Sequence, residues 1–542
     1  MESSKGSNDA LNTPNASAPK SSDSIEPIDS LKSIDSKKPS KYAAMVLRSQ
    51  YPSRWRFLIA FAAVVISASV MFTYAALDAY DILPGPLTFK TQHISSTVFS
   101  PRALLRSQSL AKGVSYGKPI NRNQAKQLVD SLIKDPAFSD STSAVIMDAN
   151  GKVIASHEEN APREPASTLK TLTAAVASRT LDMGSTLNTQ VFLLPKVGND
   201  EPSHNNSVRK IVLRGNGDML LGVGENDWHH TNGRAGLATL AKRTALALKL
   251  DNIREVSLAV DDSLFGEKRA PDLIYKTDTE RRFYAQTSSM AIDNARQRDL
   301  KLQGVDADAP TDFPLSDPHP AESVGSVFAK LLSDQGIKIY NSSEDLVIKV
   351  SQKKSLISNN SHLLAQVSSA PLNEVMTYML RHSDNTLAEE FGRLTALAAH
   401  KRNSPEGAVD AIKEGLRKLH VDTRDLNMSD CSGLSPESTL RVMTLAQVQM
   451  LNIKANSGGA SAAEGLSLPG LVGTARKRLA DESSAGFLRV KTGTLSEVTS
   501  MTGNVSRRGG GVITFAVAAN KPKDFWGAFV AINKFIAQLP NL

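Results

Sequence analysis

The sequence predicts an α/β-type (α+β) protein: an antiparallel sheet flanked by helices and split in sequence by a large inserted α/β region. Three observations carry that expectation. Two apolar runs, 143–148 and 152–156, flank Asn150-Gly151, a strong hairpin signal, and a long apolar helix follows. Near the C-terminus, 486–495, 498–505 and 511–520 read as three strands, and 524–539 as an amphipathic closing helix. Between these ends, residues 190–350 alternate strand-like runs (210–213, 255–260) with helical ones (235–250, 322–332), enough for a domain of its own. Strands from the two ends can pair in one sheet, with the closing helix and a first helix at 124–134 covering a face.

At 542 residues, 41% of them hydrophobic, the chain has room for two to four domains with real cores. Its first forty residues differ: eleven are Ser, none is aromatic, and Pro and Lys recur. Such a segment buries too little apolar surface to offset its ordering entropy, so a disordered tail is expected over 1–56. Residues 57–77 are 21 uncharged, mostly apolar positions, which matches the ~20 needed to cross a bilayer core. A cleaved signal peptide or a buried soluble helix is the alternative. The flanks argue against both: Lys37, Lys38, Lys41, Arg48, Arg54 and Arg56 precede the run, and Asp78 and Asp81 follow it. The positive-inside rule then leaves the tail in the cytoplasm and exports everything after Leu77, a single-pass cell-membrane protein. Trp55 and Tyr74 suit the two interfaces. Residues 78–120 hold several Pro and Gly without a sustained period and read as a stalk. The split domain then takes 121–190 and 350–542, and the insertion 191–349.

The formal charge is +8, of which the tail supplies +3. A mildly basic exported part suits an anionic cell envelope, and no clustered basic and aromatic pattern speaks for nucleic acid. Cys431 is the only cysteine, so an internal disulfide is excluded. Without Cys-x-x-Cys or metal-spaced His partners, neither a metal nor another cofactor is expected. His229 and His230 are adjacent, diverge on a helix or a strand, and read as surface residues. Asp218, Asp261 and Asp262 read as turn or cap residues rather than as metal or acid/base groups.

The chemistry is expected in the helix after the hairpin. Pro165 stands just before its first turn, where the missing N–H costs nothing. Ser167 and Lys170 lie three residues apart on one face. A hydroxyl beside an amine is a nucleophile beside a base, provided burial or neighbouring charge keeps the amine neutral. The pattern alone is weak, since Ser-x-x-Lys recurs at Ser17, Ser109, Ser115, Ser131, Ser207 and Ser351. Two downstream partners set Ser167 apart. Ser383-Asp384-Asn385 falls between helical runs at 372–381 and 387–399 and is expected on their connecting loop, although Ser203 and Ser358 also open a Ser-x-Asn. Lys491-Thr492-Gly493-Thr494 lies on a C-terminal strand, and Lys-Thr-Gly occurs once.

With these three motifs in order, the chain resembles the class C, low-molecular-mass penicillin-binding proteins, which are exported D-alanyl-D-alanine carboxypeptidases and endopeptidases with a serine β-lactamase/transpeptidase-like domain. The resemblance covers about residues 120–540. It includes Leu213-Arg-Gly-Asn-Gly-Asp218, Val260-Asp-Asp-Ser-Leu-Phe265, Leu380-Arg-His-Ser-Asp-Asn-Thr-Leu-Ala-Glu389, Ser432-Gly-Leu-Ser435 and Leu468-Pro-Gly-Leu-Val-Gly-Thr474, together with the long insertion between the first two motifs. The chain departs from the family at Cys431, which replaces a small Gly, and at Asn216, which interrupts a Gly-rich run. Residues 266–285 and the segment after Asn294 also match poorly, and a membrane span replaces the usual cleaved signal.

The resemblance implies acyl transfer on peptidoglycan stem peptides, with β-lactams as inhibitors. Ser167 attacks the carbonyl between two D-alanines and Lys170 takes its proton. The N–H groups of Ser167 and Thr494 form the oxyanion hole. Ser383 and Lys491 relay the proton to the leaving amine, and Asn385 holds the peptide amide. Lys491, Thr492 and Thr494, on the strand that also carries Gly493, bind the terminal carboxylate. Two buried lysines disfavour each other's charge, which lowers at least one pKa. A β-lactamase on the same fold and a non-catalytic envelope scaffold are the alternatives. The first lacks an obvious deacylating Glu loop here, and the second should have lost Ser167, Lys170 or Lys491.

Overall fold

The computed structural model describes residues 53–79, 117–195, 208–297, 306–309, 312–340, 349–479 and 481–542. Most of the tail expected over 1–56 and of the stalk expected over 78–120 lies outside them. Ser53–Ala79 forms one 27-residue helix, α1, in which Leu58–Leu77 has a mean hydropathy of 2.1. At 1.5 Å per residue it extends about 40 Å, long and apolar enough to cross a membrane.

The strands from the two ends do form one sheet. β1 (Thr142–Asp148) and β2 (Val153–His157) come from the start, and β8 (Leu488–Leu495), β9 (Val498–Ser506) and β10 (Val512–Asn520) from the end. Their order is β8-β9-β10-β1-β2, and every pair is antiparallel. The hairpin turns differently from a two-residue Asn-Gly loop. The Asp148 N–H donates to the Lys152 carbonyl, and Gly151 takes φ +83°, so the loop is the three residues 149–151. Asp148 Oδ1 accepts the N–H groups of Asn150 and Lys152, a role that Asn-Gly alone does not reveal.

Alternation along the strands divides two cores. Ala144, Ile146, Phe515 and Val517 point to one face, where they pack on α2 (Arg122–Ile133) and on the closing helix α10 (Phe525–Gln538) through Val129, Ile532 and Phe535. Val145, Met147, Ala516 and Ala518 point to the other, against α3 (Lys170–Thr180), α8 (Pro405–Lys418) and α9 (Val442–Ile453). Burial on both faces explains why β10 reads as a continuous apolar run instead of an alternating one. Helix α3 is itself covered all round: its other side meets α6 (Leu372–His382) and α7 (Asn385–Ala398) around Ala174, Met376, Leu387 and Phe391.

The insertion builds a second, mixed sheet in the order β6-β5-β4-β3-β7. Its strands are β3 (Asn188–Leu193), β4 (Arg209–Gly215), β5 (Glu255–Asp261), β6 (Lys349–Ser351) and β7 (His362–Ser368), with the short Lys338–Ile339 also on β5. Helices α4 (Leu237–Leu250) and α5 (Pro320–Asp334) cover it. The sheet therefore draws on residues 188–368, which reach past the expected 191–349 span at both ends. Asp261 and Asp262 fasten this region. The first accepts from Ser263, Ser355 and Leu356, and the second pairs with Arg269. Asp218, expected in a turn or cap, instead opens the short strand Asp218–Leu221 and accepts the Leu220 N–H. His229 is exposed, and half-exposed His230 pairs with Asp227.

Phe515 is fully buried and meets Phe535 edge to face at 6.4 Å. Phe515→Ala is expected to cost about 3–5 kcal/mol through lost burial and the cavity left behind, read as a lower urea midpoint.

Candidate active site

Ser167 sits in a single 3₁₀ turn, Ala166–Leu169, that runs straight into α3. Pro165 caps this turn, and Ala166 is held at φ +48°, a left-handed conformation that costs a residue with a Cβ about 1–2 kcal/mol. The turn packs against the edge strand β8. A Cβ on Gly493 would meet the Pro165 carbonyl at 2.7 Å and the Thr168 N–H at 3.1 Å, with Ser500 Oγ nearer still. That is why this position is glycine.

Lys170 is fully buried, and its amine donates to Ser167 Oγ (2.9 Å), Asn385 Oδ1 (2.6 Å) and the Ser432 carbonyl (2.9 Å). Lys491, also fully buried, donates to Ser383 Oγ and to the Thr492 carbonyl, each at 2.8 Å. Burial lowers Lys170 from 10.5 to about 8, against the opposite pull of Asp430, Asp384 and Glu389. Burial also takes Lys491 well below its usual value, helped by the repulsion of Lys170. Both amines therefore reach the neutral form more readily than a lysine in water.

The second motif differs from its expected setting. Helix α6 runs to His382 and α7 starts at Asn385, so the loop shrinks to Ser383-Asp384. Ser383 takes φ +57°, which reverses the chain in one residue. Asp384 caps α7 by accepting the Leu387 N–H, and its other oxygen binds Arg296 and Asn294, both at 2.6 Å. Asn294 lies within three consecutive left-handed residues, Asp293–Ala295. Asn385 turns its oxygen to Lys170, and its Nδ2 donates to the Phe283 carbonyl at 2.9 Å, which fixes the amide's orientation and leaves one N–H free to point elsewhere.

On β8, Val490 exchanges both backbone bonds with Ser467 on the outer edge. By alternation, Thr492 and Thr494 turn their N–H and C=O groups to that same edge. Ser167, Ser383, Asn385, Thr492 and Thr494 line one cleft of about 540 Å³, with Leu434, Thr474, Arg478 and Phe529. The insertion supplies another wall through Thr277, Phe283 and Phe313, the two rings lying 5.2 Å apart. Thr474 Oγ1 is 2.7 Å from Thr492 Oγ1.

All eight candidate residues thus converge. The sequence reading missed several of their supports. The carbonyls of Ser432 and Phe283 carry no side-chain signature. Asp430 accepts the N–H groups of Ser432, Gly433 and Ser435 and so fixes the loop that presents the Ser432 carbonyl. Cys431 is buried, and Gly392 makes room for it: a Cβ there would fall on the sulfur. Among the described residues, no group of three or more His, Cys, Asp or Glu is arranged to hold a metal ion.

A hydroxyl bonded to a buried, easily neutralised amine, beside a second Ser–Lys pair at the mouth of a cleft, suits acyl transfer through a serine. Comparison with known proteins agrees. The chain belongs to the D-Ala-D-Ala carboxypeptidase 3 (S13) family, which it matches over 125–298 and 294–534. It is 28% identical over 494 residues to carboxypeptidase DacB of Mycolicibacterium smegmatis, covering 86% of this chain and 94% of that one. A carboxypeptidase of Mycobacterium tuberculosis, Rv3627c, is 29% identical over 372 residues, 67% of this chain and 72% of the relative. In fold, the chain is similar to the crystal structure of penicillin-binding protein 4 from Haemophilus influenzae, with a TM-score of 0.59 and 18% identity over 78% of this chain and all of that one.

Gly493→Ala is expected to push the Ala166–Leu169 turn off β8. A shift of about 1 Å should slow acylation roughly 100-fold, measured as the rate of labelling by a fluorescent penicillin.

Proposed function

We propose that this chain is a serine D-alanyl-D-alanine carboxypeptidase that trims peptidoglycan stem peptides and is inhibited by β-lactams. The observation that carries the reading is the 2.9 Å bond between Ser167 Oγ and an amine that burial has taken to about 8. Neutral Lys170 accepts the proton as Ser167 Oγ bonds to the carbonyl carbon of the penultimate D-Ala. The oxyanion forms against the N–H groups of Ser167 and Thr494. Ser383 and Lys491, 2.8 Å apart, relay the proton taken by Lys170 to the departing amine as the C–N bond breaks. Asn385 holds the substrate's peptide amide, and Lys491, Thr492 and Thr494 receive its terminal carboxylate. Water then attacks the acyl carbon, Lys170 takes its proton and returns it to Ser167 Oγ as the ester bond breaks. The S13 membership and the relatives named carboxypeptidase support this reading, and so does the penicillin-binding protein 4 of H. influenzae, also solved with a β-lactam.

The proposal extends to location. Helix α1 anchors the chain in the cell membrane as a single pass, with the basic flank cytoplasmic and the catalytic body outside. The division into two catalytic regions with an insertion between them belongs to the same reading.

A fluorescent penicillin should label the purified chain covalently, and Ser167→Ala should abolish the label; an unlabelled wild type overturns the enzyme reading. Turnover of a pentapeptide, compared with that of a cross-linked muropeptide, measures the carboxypeptidase and endopeptidase activities separately. The pH dependence has a defined sign. Below about pH 8 the Lys170 amine already holds a proton and cannot take another, so kcat/KM should rise about tenfold per pH unit and flatten above pH 8. A profile flat between pH 6 and 9 removes Lys170 as the base.

A further inference from the structure

One charge in the cleft wall has no counterion among the described residues. Arg478 is 3% exposed and follows the turn Gly473–Ala475, whose Thr474 bonds to Thr492. Its guanidinium lies over the Phe529 ring at 3.5 Å, and its Nε donates to Asn533 Oδ1 at 2.6 Å. Neither contact carries negative charge. Among the described residues, the buried Nη2 nitrogen has no hydrogen-bond partner, and no acidic side chain pairs with the group. Yet Arg478 and Phe529 line the same cleft as Ser167, Thr492 and Thr494. Along β8, residues Leu488 and Val490 point their side chains to the face packed by α10. By the period of two, Thr492 and Thr494 share that face, the one on which α10 presents Phe529 and Asn533 to Arg478.

A buried cation without an anionic partner is costly, because removal from water disfavours its charge and a ring face and an amide oxygen offset only part of that cost. Burial accordingly lowers Arg478 to about 10, still well above neutral pH. It therefore remains a full positive charge in an apolar wall. A planar, always-charged fork of donors is matched best by a carboxylate.

We propose that Arg478 is the counter-charge for the terminal carboxylate of the substrate, seated beside the Thr492 and Thr494 hydroxyls. This rests on the function proposed above and deepens it. Threonine hydroxyls bind any polar group, whereas an unpaired guanidinium selects for a negative one. It gives the cleft its requirement for a free chain end. Phe529 keeps the guanidinium plane fixed and Asn533 occupies Nε, so Nη2 is the donor left for the ligand. Arg478 is in this sense a binding and specificity residue, and it moves no proton.

The test compares two substrates on the whole chain: a peptide ending in D-Ala-D-Ala with a free carboxylate, and the same peptide ending in a carboxamide. Wild type should prefer the acid by roughly 100-fold or more in kcat/KM, because the amide leaves Arg478 unpaired. Arg478→Gln should lose most of that factor on the acid, chiefly through KM, and change the amide by less than about threefold. Arg478→Lys keeps a cation and should retain an intermediate preference. A merely structural role would depress both substrates equally and leave the ratio untouched, which overturns the inference. So does a wild-type ratio near one, whether or not the glutamine variant folds. A wild type that neither turns over the acid nor takes the penicillin label overturns the proposed function itself, and Arg478's role with it.

Discussion

The site depends on how a lysine amine is kept out of water. Lys170 has no solvent contact, and three acceptors from three separate segments hold its nitrogen: a hydroxyl one turn earlier, an amide at the start of α7, and a carbonyl in the Asp430 loop. Each acceptor has its own support. Ala166 adopts a left-handed backbone just before Ser167, Ser383 reverses the chain just before Asn385, and Asp430 gathers three N–H groups around the Ser432 carbonyl. Satisfying one buried amine therefore fixes the nucleophile, the amide and the loop relative to one another. The surrounding carboxyls of Asp384, Glu389 and Asp430 limit how far the amine's pKa falls, which keeps its change of charge within reach of physiological pH.

Much of this was legible in the sequence, and the boundary has physical causes. The strands at both ends, the insertion's 210–213 and 255–260 runs and its two long helices carry strong apolar signals, and the structure has an element at each. The three motifs were legible because side chains do their chemistry. Backbone work left no trace: the Phe283 and Ser432 carbonyls could belong to any residue. Left-handed positions usually announce themselves as Gly or Asn, but here Ala and Ser occupy them and are held by tertiary contacts. Arg478 looked like one cation among Arg476, Lys477 and Arg478. Only burial separates it from its neighbours, which are exposed.

Residues 266–285 and the segment after Asn294 resembled the family poorly, yet both reach the cleft. Phe283 lends its carbonyl to Asn385 and its ring, with Phe313, to the wall. Because the insertion departs after α3 and returns ahead of α6, its base is joined to the helices behind both Ser167 and Ser383. The Asp384 carboxylate, bound by Asn294 and Arg296, ties it in a third time. The poorly matching region is thus a part of the site, which it reaches through a backbone carbonyl and an aromatic wall.

The split sheet also has a history in time. β1 lies between β2 and β10, and the Ser139 hydroxyl that precedes it bonds to the Asn520 carbonyl, 381 residues later. Closing so long a loop is entropically uphill until the contacts it permits are made. During synthesis, then, the hairpin that leads to the nucleophile has an open edge until nearly the whole chain has emerged. The insertion's sheet draws only on residues 188–368, so its strands are all present far sooner. Assembly of the catalytic half waits for the C-terminal hairpin, and a chain interrupted before β10 would carry a complete Ser-x-x-Lys motif with no sheet to set it against.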